Sequence, residues 1–294
     1  MTGERKLKVL IGCLLFKDFT GSEMYVYELA KNLLNLDCDV TVVSPYIGGK
    51  LTDLAIKCGI KVQGFSDIKG NEHYDVIHCQ HKPVVQELVR IYPKIKKVCT
   101  IHSEVISLED PVVDSSIKKY IAIRPEIKEH LVQKFKISPS FVEVIYNPID
   151  ETRFQKIESK NHNSVLFVGT IDYLRKNTIF DLVDYTRSIN KDFWLVGNNS
   201  DNYLGELLKN KHVKHSNAVE DVQKYVQRCD ETAGILLGRT TIEGWLCGKS
   251  GWIYNVNDKG DILSKKLNPP PDDLSKFYAS NVAEQIKKIY TSII

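Results

Sequence analysis

The sequence has few features of secreted or membrane proteins. None of its apolar runs approaches the roughly 18 uncharged residues that a membrane-spanning helix requires. Residues 1–6 include three charged side chains and lack the apolar core of a secretory signal. The seven cysteines are odd in number and form no CxxC pair, which argues against a disulfide framework. We therefore expect a cytoplasmic protein with reduced thiols, for which a peripheral membrane contact stays open.

The sequence also lacks an excess of charge of either sign. Forty basic and 37 acidic residues leave a net charge of +3, which is too small to indicate a nucleic-acid partner. The densest basic cluster, Lys94, Lys96 and Lys97, is short and is typical of a solvated strand entry. The composition carries no signal for an oligomeric state.

Short apolar runs rich in β-branched residues alternate with longer helical patterns, and this order predicts parallel sheets built from βαβ units. A polar stretch over 147–163 divides the chain. We expect an α/β protein with two doubly wound parallel-sheet domains that face a cleft. They span 1–155 and 156–276, and the last helix, within 277–294, returns to the first domain. The predicted strands are 9–15, 39–43, 60–65, 75–79, 97–101, 120–123, 142–146, 164–168, 193–196, 234–237 and 252–254; the predicted helices are 22–36, 51–57, 125–135, 176–187, 221–227, 241–247 and 281–289.

The turn after the first strand has no dinucleotide fingerprint. Its sequence, Phe19-Thr20-Gly21-Ser22-Glu23, is not GxGxxG, which disfavours a Rossmann dehydrogenase. Gly21 lets the backbone come close to a ligand, and the helix N-terminus offers N–H groups to an anion. An ordinary βα turn explains the segment equally well.

Two segments of the second half carry cations or glycines just after a strand. Gly169 and Thr170 are followed by Arg175 and Lys176 at the start of a helix, where a bound phosphate would offset the unfavourable helix dipole. A solvated basic turn is the alternative. Gly238, Gly244 and Gly248 lie around the predicted helix 241–247. They indicate that another group, such as a ligand, comes close to the backbone of this helix. One interpretation is a donor site in which the N-terminus of this helix binds a diphosphate and Glu243 binds a ribose, with Arg239, Thr240 and Thr241 beside them. The alternative for Glu243 is a capping box with Thr240.

Histidines end two strands of the first half. His102 follows 98–101, and His78 and His81 end or follow 76–77. A histidine at the carboxyl end of a strand can hydrogen-bond a substrate hydroxyl or polarise a leaving group, although a satisfied core histidine is a strong alternative for His78 and His81. Strand alternation points neighbouring side chains to opposite faces, so a metal site at His78, Cys79 and His81 is disfavoured.

The order of these segments resembles the retaining glycosyltransferases of family 4, also called glycosyl transferases group 1. The resemblance rests on the Gly-Ser-Glu helix start, on Ile145-Tyr146-Asn147-Pro148-Ile149-Asp150 followed by Arg153-Phe154, on the Val168-Gly169-Thr170 to Arg175-Lys176 segment, and on Arg239 to Gly248. It covers nearly the whole chain.

The resemblance implies a GT-B fold and transfer of a sugar from a nucleoside-diphosphate sugar, such as a UDP- or GDP-sugar, with retention and without a metal or cofactor. It implies catalytic roles for His102, Arg175 and Lys176. The implied donor-binding residues are Gly21, Gly169, Thr170, Arg175, Lys176, Arg239, Thr240, Thr241 and Glu243. Phe19, His81 and Ser103 are expected on the side of the unknown acceptor.

The sequence departs from the family pattern at one expected carboxylate. The family has two glutamates separated by seven residues, whereas the position eight before Glu243 is Ile235. A non-catalytic nucleotide-sugar-binding protein and a GT-B nucleotide-sugar epimerase or phosphorylase are therefore the alternatives.

Overall fold

The protein divides into two compact α/β units. The computed structural model describes residues 5–157 and 163–294. One unit, called unit 1, comprises the described residues up to Asp18 together with Ser22–Pro148 and Lys276–Ile294. The other, unit 2, comprises Phe19–Gly21 and the described residues of Ile149–Ser275.

Unit 1 is built on a seven-stranded, wholly parallel sheet of order β5-β3-β1-β6-β7-β8-β9. Its order reverses direction between β1 and β6, and such a switch point opens a crevice at the carboxyl ends of the strands. The strands of unit 1, including a small separate pair β2 and β4, are β1 Leu7–Gly12, β2 Leu15–Phe16, β3 Cys38–Ser44, β4 Tyr46–Ile47, β5 Lys61–Gly64, β6 Val76–Gln80, β7 Lys97–Ile101, β8 Ile117–Ala122 and β9 Val142–Val144. The helices of the same region are α1 Gly21–Asn35, α2 Gly49–Lys57, α3 Lys82–Ile91 and α4 Pro125–Phe135.

Unit 2 has a six-stranded sheet of order β12-β11-β10-β13-β14-β15, with its switch point between β10 and β13. Five strands are parallel, as predicted, and the edge strand β15, which was not predicted, is antiparallel to β14. The strands are β10 Ser164–Val168, β11 Asp192–Val196, β12 Val213–Ser216, β13 Glu231–Ile235, β14 Ser250–Val256 and β15 Ile262–Asn268. The helices are α5 Lys176–Ser188, α6 Leu204–Leu207, α7 Val222–Arg228 and α8 Arg239–Leu246.

The last helix, α9 (Ala279–Ile293), packs on unit 1. Tyr290 is fully buried, and its hydroxyl hydrogen-bonds Nδ1 of His78 on β6. The Nζ of Lys287 donates to the carbonyl of Leu36 at 2.6 Å. The C-terminal helix α9 therefore belongs to the same unit as the N-terminal strand β1.

Several elements differ from the sequence prediction. Helix α3 and strands β12 and β15 were not predicted. Strand β13 ends at Ile235, before the predicted 237, because Leu236 takes a left-handed conformation with φ of 56°. Lys97 is completely buried rather than solvated, and its Nζ donates to the carbonyls of Tyr92 and Ile95 at 2.6 and 2.9 Å.

The thiols agree with the expectation of a reduced protein. All seven cysteines are free, and six of them are buried. Over residues 5–157 and 163–294, no helix is both long and apolar enough to cross a membrane.

Candidate functional site

The turn after β10 lies at the switch point of unit 2 and is tightly bound to the turn after β11. Gly169 donates its N–H to the carbonyl of Val196 at 2.9 Å. A Cβ on Gly197 would lie 1.9 Å from the carbonyl oxygen of Gly169, and the φ of Gly197 is 157°. Only glycine fits at position 197, so this contact fixes the backbone that carries Gly169 and Thr170.

Arg175 and Lys176 begin helix α5 but have different environments. Asp172 accepts a hydrogen bond from the N–H of Arg175 at 3.1 Å and forms an ion pair with its guanidinium. Lys176 is exposed, and its ammonium group lies 5.7 Å from the ring centre of Tyr203. In the described part of the chain Lys176 has no acidic partner. Its charge is therefore available to an anion, whereas Asp172 already neutralises much of that of Arg175.

Helix α8 begins at the carboxyl end of β13, beside the end of β10. The Oγ1 of Thr240 donates to the carbonyl of Val168, the last residue of β10, at 3.2 Å. This bond brings the N-terminus of α8 next to the turn that leads to α5. Both helices therefore begin at one edge of the sheet, and the N-terminus of α8 is suited to an anionic ligand. At the start of α5 the N–H of Arg175 is bonded to Asp172 and that of Lys176 to the carbonyl of Tyr173.

Glu243 does not form the capping box that was the alternative to a ribose contact. The N-cap of α8 is Gly238, which has no side chain to cap the helix. Glu243 is instead buried, and its carboxylate lies 3.2 Å from the guanidinium of Arg239, one helical turn earlier. Burial raises the pKa of Glu243 above its ordinary value, and the positive charge of Arg239 partly offsets this.

The glycines around α8 have a packing role that the sequence analysis did not foresee. A Cβ on Gly244 would lie 2.5 Å from Oγ1 of Thr232 on β13, so the close approach is that of the strand. Gly248 has a φ of 76° and lies just after the C-cap of α8. Thr241 is fully buried, and its hydroxyl has no hydrogen-bond partner among the described residues.

Gly21 is the first residue of α1, just after the loop that follows β2. It is exposed, and a Cβ there would meet nothing within 4 Å, so no protein contact requires glycine at this position. Phe19 is half-buried. The buried carboxylate of Glu23 accepts the N–H of Asp18 at 2.7 Å and that of Lys17 at 3.3 Å, which holds this loop against the helix.

The carboxyl ends of the neighbouring strands β6 and β7 bring His81 and His102 together. Their rings stack with centroids 6.0 Å apart. His81 is buried and has a φ of 66°, and its Nδ1 accepts the N–H of Leu14 at 3.2 Å. The Nε2 of His102 lies 2.6 Å from Oε1 of Gln80, whose amide nitrogen donates to the carbonyl of Ser22.

Sequence reasoning missed two charged residues of this region. Glu109 accepts the N–H of His102, and Arg124 donates to the carbonyl of His102 while it pairs with Glu104. Both side chains are buried. Their burial and their contacts with His102 depend on the fold, so no sequence pattern identified them. Ser103 is half-buried, and its Oγ accepts the N–H of Val105.

His78 is a core residue. Its Nε2 lies 2.7 Å from the hydroxyl oxygen of Thr100, and its Nδ1 contacts Tyr290. Desolvation lowers the pKa of His78 to about 3. Within the described ranges, no group of three His, Cys, Asp or Glu residues could hold a metal ion.

The chain resembles solved glycosyltransferases over nearly its whole length. HepE of Anabaena, in complex with UDP and glucose, is 16% identical with a TM-score of 0.67 over 98% of each chain. The pneumococcal O-GlcNAc transferase GtfA, in complex with UDP and GlcNAc, is 9% identical with a TM-score of 0.70 over 99% of each chain. A glycosyltransferase from Rickettsia africae is 16% identical with a TM-score of 0.61, over 98% of this chain and 89% of that one. These likenesses show the GT-B fold, which confirms the predicted fold class.

A family match accompanies the fold. Residues 19–153 match the model of Glycosyltransferase Family 4. The resemblance to family 4 that the motifs indicated is therefore confirmed. A sequence comparison with curated proteins gives no match.

Proposed function

We propose that the protein is a glycosyltransferase that moves a sugar from a nucleoside-diphosphate sugar to an acceptor. The observation that carries the proposal is that α5 and α8 both begin at the carboxyl edge of the sheet of unit 2, beside its switch point, where Thr240 at the start of α8 donates to Val168 at the end of β10. The ammonium group of Lys176 and the N–H groups at the start of α8 would bind the diphosphate there. Arg175 would join them once the ligand competes with Asp172.

The solved relatives support the choice of ligand. HepE has been solved with UDP and with UDP-glucose, and GtfA with UDP and GlcNAc. The family 4 match supports transfer with retention of anomeric configuration and without a metal ion. By the same reasoning, Thr170, Thr241 and Gly169 belong to the donor site, and Phe19, His81 and Ser103 to the acceptor side. The seven free cysteines support a cytoplasmic location.

His102 is the proposed contact to the transferred sugar. Because Nε2 of His102 lies 2.6 Å from the side-chain amide oxygen of Gln80, we assign the ring proton to Nε2. This bond and the N–H of His102, which Glu109 accepts, fix the orientation in which the ring would meet the sugar. Growing negative charge on the leaving diphosphate would be stabilised by Lys176 and the helix N–H groups.

A non-catalytic nucleotide-sugar-binding protein is the second candidate. Two observations favour it. Ile235 occupies the position of the expected first glutamate, and the carboxylate of Glu243 is already paired with Arg239. Such a protein would bind the donor but would neither transfer nor hydrolyse the sugar.

Lys176→Ala provides the test. With UDP, GDP or ADP and their sugar conjugates, we expect one diphosphate family to raise the melting temperature of the wild type, because a ligand that binds only the native state stabilises it. Lys176→Ala should reduce this stabilisation and should lower turnover on the order of 10²-fold. The matched control is Lys211→Ala, since Lys211 is exposed and precedes β12, at the amino edge of the same sheet.

The outcomes separate the candidates. Donor turnover that survives EDTA, with an NMR spectrum of the product showing the donor's anomeric configuration, supports the retaining transferase. Stabilisation by UDP without transfer or hydrolysis supports the binding protein. Normal turnover in Lys176→Ala, or no stabilisation of the wild type by any nucleotide, would contradict the proposed site.

A further inference from the structure

One buried carboxylate joins three loops at the carboxyl edge of the sheet of unit 1. Glu109 ends the short 3-10 turn Ser107–Glu109, and its side chain is 6% exposed. Its Oε2 accepts the N–H of His102, after β7, at 3.0 Å. Its Oε1 lies 3.4 Å from Nε2 of His81, after β6. Through Nδ1 of His81 the connection continues to the N–H of Leu14, after β1.

The contacts of His81 define its tautomer. Since Nδ1 accepts a backbone N–H, a neutral ring must carry its proton on Nε2, which faces Glu109. Desolvation lowers the pKa of His81 to about 4, so the ring is neutral near pH 7. The orientation of the ring is fixed because each of its two nitrogens has a partner.

The backbone at His81 is strained, and Glu109 helps to hold it. A non-glycine residue at a φ of 66° is strained and persists only where its surroundings determine it. His81 is also the N-cap residue of α3 and makes no side-chain capping bond there. Its ring instead contacts the N–H of Leu14 and the carboxylate of Glu109. Neither contact is needed to form β6 or α3.

We propose that Glu109 is a positioning residue, whose carboxylate fixes the His102 backbone and the His81 ring in the arrangement that sugar transfer needs. The inference rests on the proposed function, in which His102 contacts the transferred sugar. Glu109 holds the main chain of His102, while Gln80 holds its ring at 2.6 Å. Glu109 touches no reacting atom in this scheme and acts through the two histidines.

The kinetic test compares Glu109→Ala and Glu109→Gln with the control Asp110→Asn. Asp110 is the next residue and has a carboxylate, but it faces Lys82 at 3.8 Å rather than either histidine. Glu109→Ala should lower kcat on the order of 10²-fold, the effect of a small misplacement of a reacting group, with little change in KM for the donor. Glu109→Gln should lose less, because its amide oxygen can still accept the N–H of His102.

Stabilisation by UDP serves as the folding control, since the proposed donor residues of unit 2 are unchanged in all three variants. A kcat of Glu109→Ala within about twofold of the wild type would overturn the inference and leave the proposed function intact. Equal losses in Glu109→Gln and Asp110→Asn would also overturn it, since a general loss of charge would then explain both.

An NMR measurement tests the same inference without any turnover. In protein labelled with ¹⁵N-histidine, with the signals of His81 assigned from His81→Gln, the wild type should show a neutral ring protonated at Nε2 near pH 6. Glu109→Ala should leave the ring neutral and protonated at Nε2, because Leu14 still occupies Nδ1, but should shift the Nε2 and Nε2–H signals, because that proton loses its partner Glu109. Unchanged His81 signals would refute the positioning role. If the wild type neither transfers nor hydrolyses any donor, the proposed function fails, whereas this spectrum still decides the role of Glu109.

Discussion

Removal of the positive charge of Arg239 tests the buried ion pair of α8. Arg239 and Glu243 are 9% and 6% exposed, and their closest atoms lie 3.2 Å apart. At that distance an effective dielectric constant of about 20 gives an attraction of about 5 kcal/mol before desolvation is subtracted. Loss of one partner of a buried pair costs about 3 to 5 kcal/mol, because the other charge stays buried. We expect Arg239→Met to lower the free energy of unfolding of unit 2 by that amount.

Thermal unfolding measures this effect. For a unit of this size, about 3 to 5 kcal/mol corresponds to a fall in Tm of roughly 6 to 20 °C. The control is Arg187→Met, because Arg187 pairs with Asp184 on the surface of α5 and is 56% exposed, where such pairs contribute at most about 1 kcal/mol. The double variant Arg239→Met/Glu243→Leu should recover much of the lost stability.

A pH series distinguishes the ion pair from simple packing. Burial already raises the pKa of Glu243, and Arg239 opposes this. Without Arg239 the pKa should rise further, so the destabilisation by Arg239→Met should grow as pH increases above about 4.5. If Arg239→Met costs less than about 1 kcal/mol, or its cost is independent of pH, the description of Glu243 as a buried paired carboxylate is wrong.

Two further changes test other contacts. Gly197→Ala should destabilise unit 2 by about 3 kcal/mol or more, because its Cβ would overlap the carbonyl of Gly169; Gly205→Ala, where a Cβ meets nothing within 4 Å, is the control, and equal melting temperatures would refute the argument. Burial raises the pKa of Glu109 from 4.5 to about 7, so the proton it retains favours the native state at low pH and this contribution is lost as pH rises through about 7. The stability of the wild type relative to Glu109→Gln should therefore fall by on the order of 3 kcal/mol between about pH 4.5 and 7 in denaturant titrations. His81 is present in both proteins, so its own titration largely cancels, and a constant difference would contradict the raised pKa.

The sequence predicted the buried parallel strands best. Runs such as Ser164–Val168 are apolar on both faces, and a strand covered by helices on both sides requires this. Helix α3 was missed because Pro83, Val84 and Val85 in its first turn are poor helix formers in isolation. Strand β15 was missed because five of its seven residues are exposed and its stability comes from pairing with β14, which no local pattern reveals.

The location of the candidate site was more predictable than its contacts. Residues that directly follow a strand could be identified from the sequence, since parallel strands end at one edge of the sheet. The partners of these residues could not be identified. Arg175 pairs with Asp172, and Glu243 pairs with Arg239, but other nearby charged residues are possible partners until the backbone conformation is known. Glu109 was missed because its importance depends on the conformation of the loop after β7, which brings it to His81 and His102.

The position of α9 has a consequence for how the chain acquires its structure during synthesis. Unit 1 contains the described N-terminal strand, yet it lacks Tyr290 and its contact with His78 until the ribosome has also made the whole of unit 2. The usual order, in which the N-terminal domain folds first, is therefore interrupted. Unit 2 is continuous from Ile149 to Ser275 apart from Phe19–Gly21, so it can reach its native state while β6 still has an uncovered face. A nascent chain that is released before α9 emerges would expose that face to chaperones and proteases.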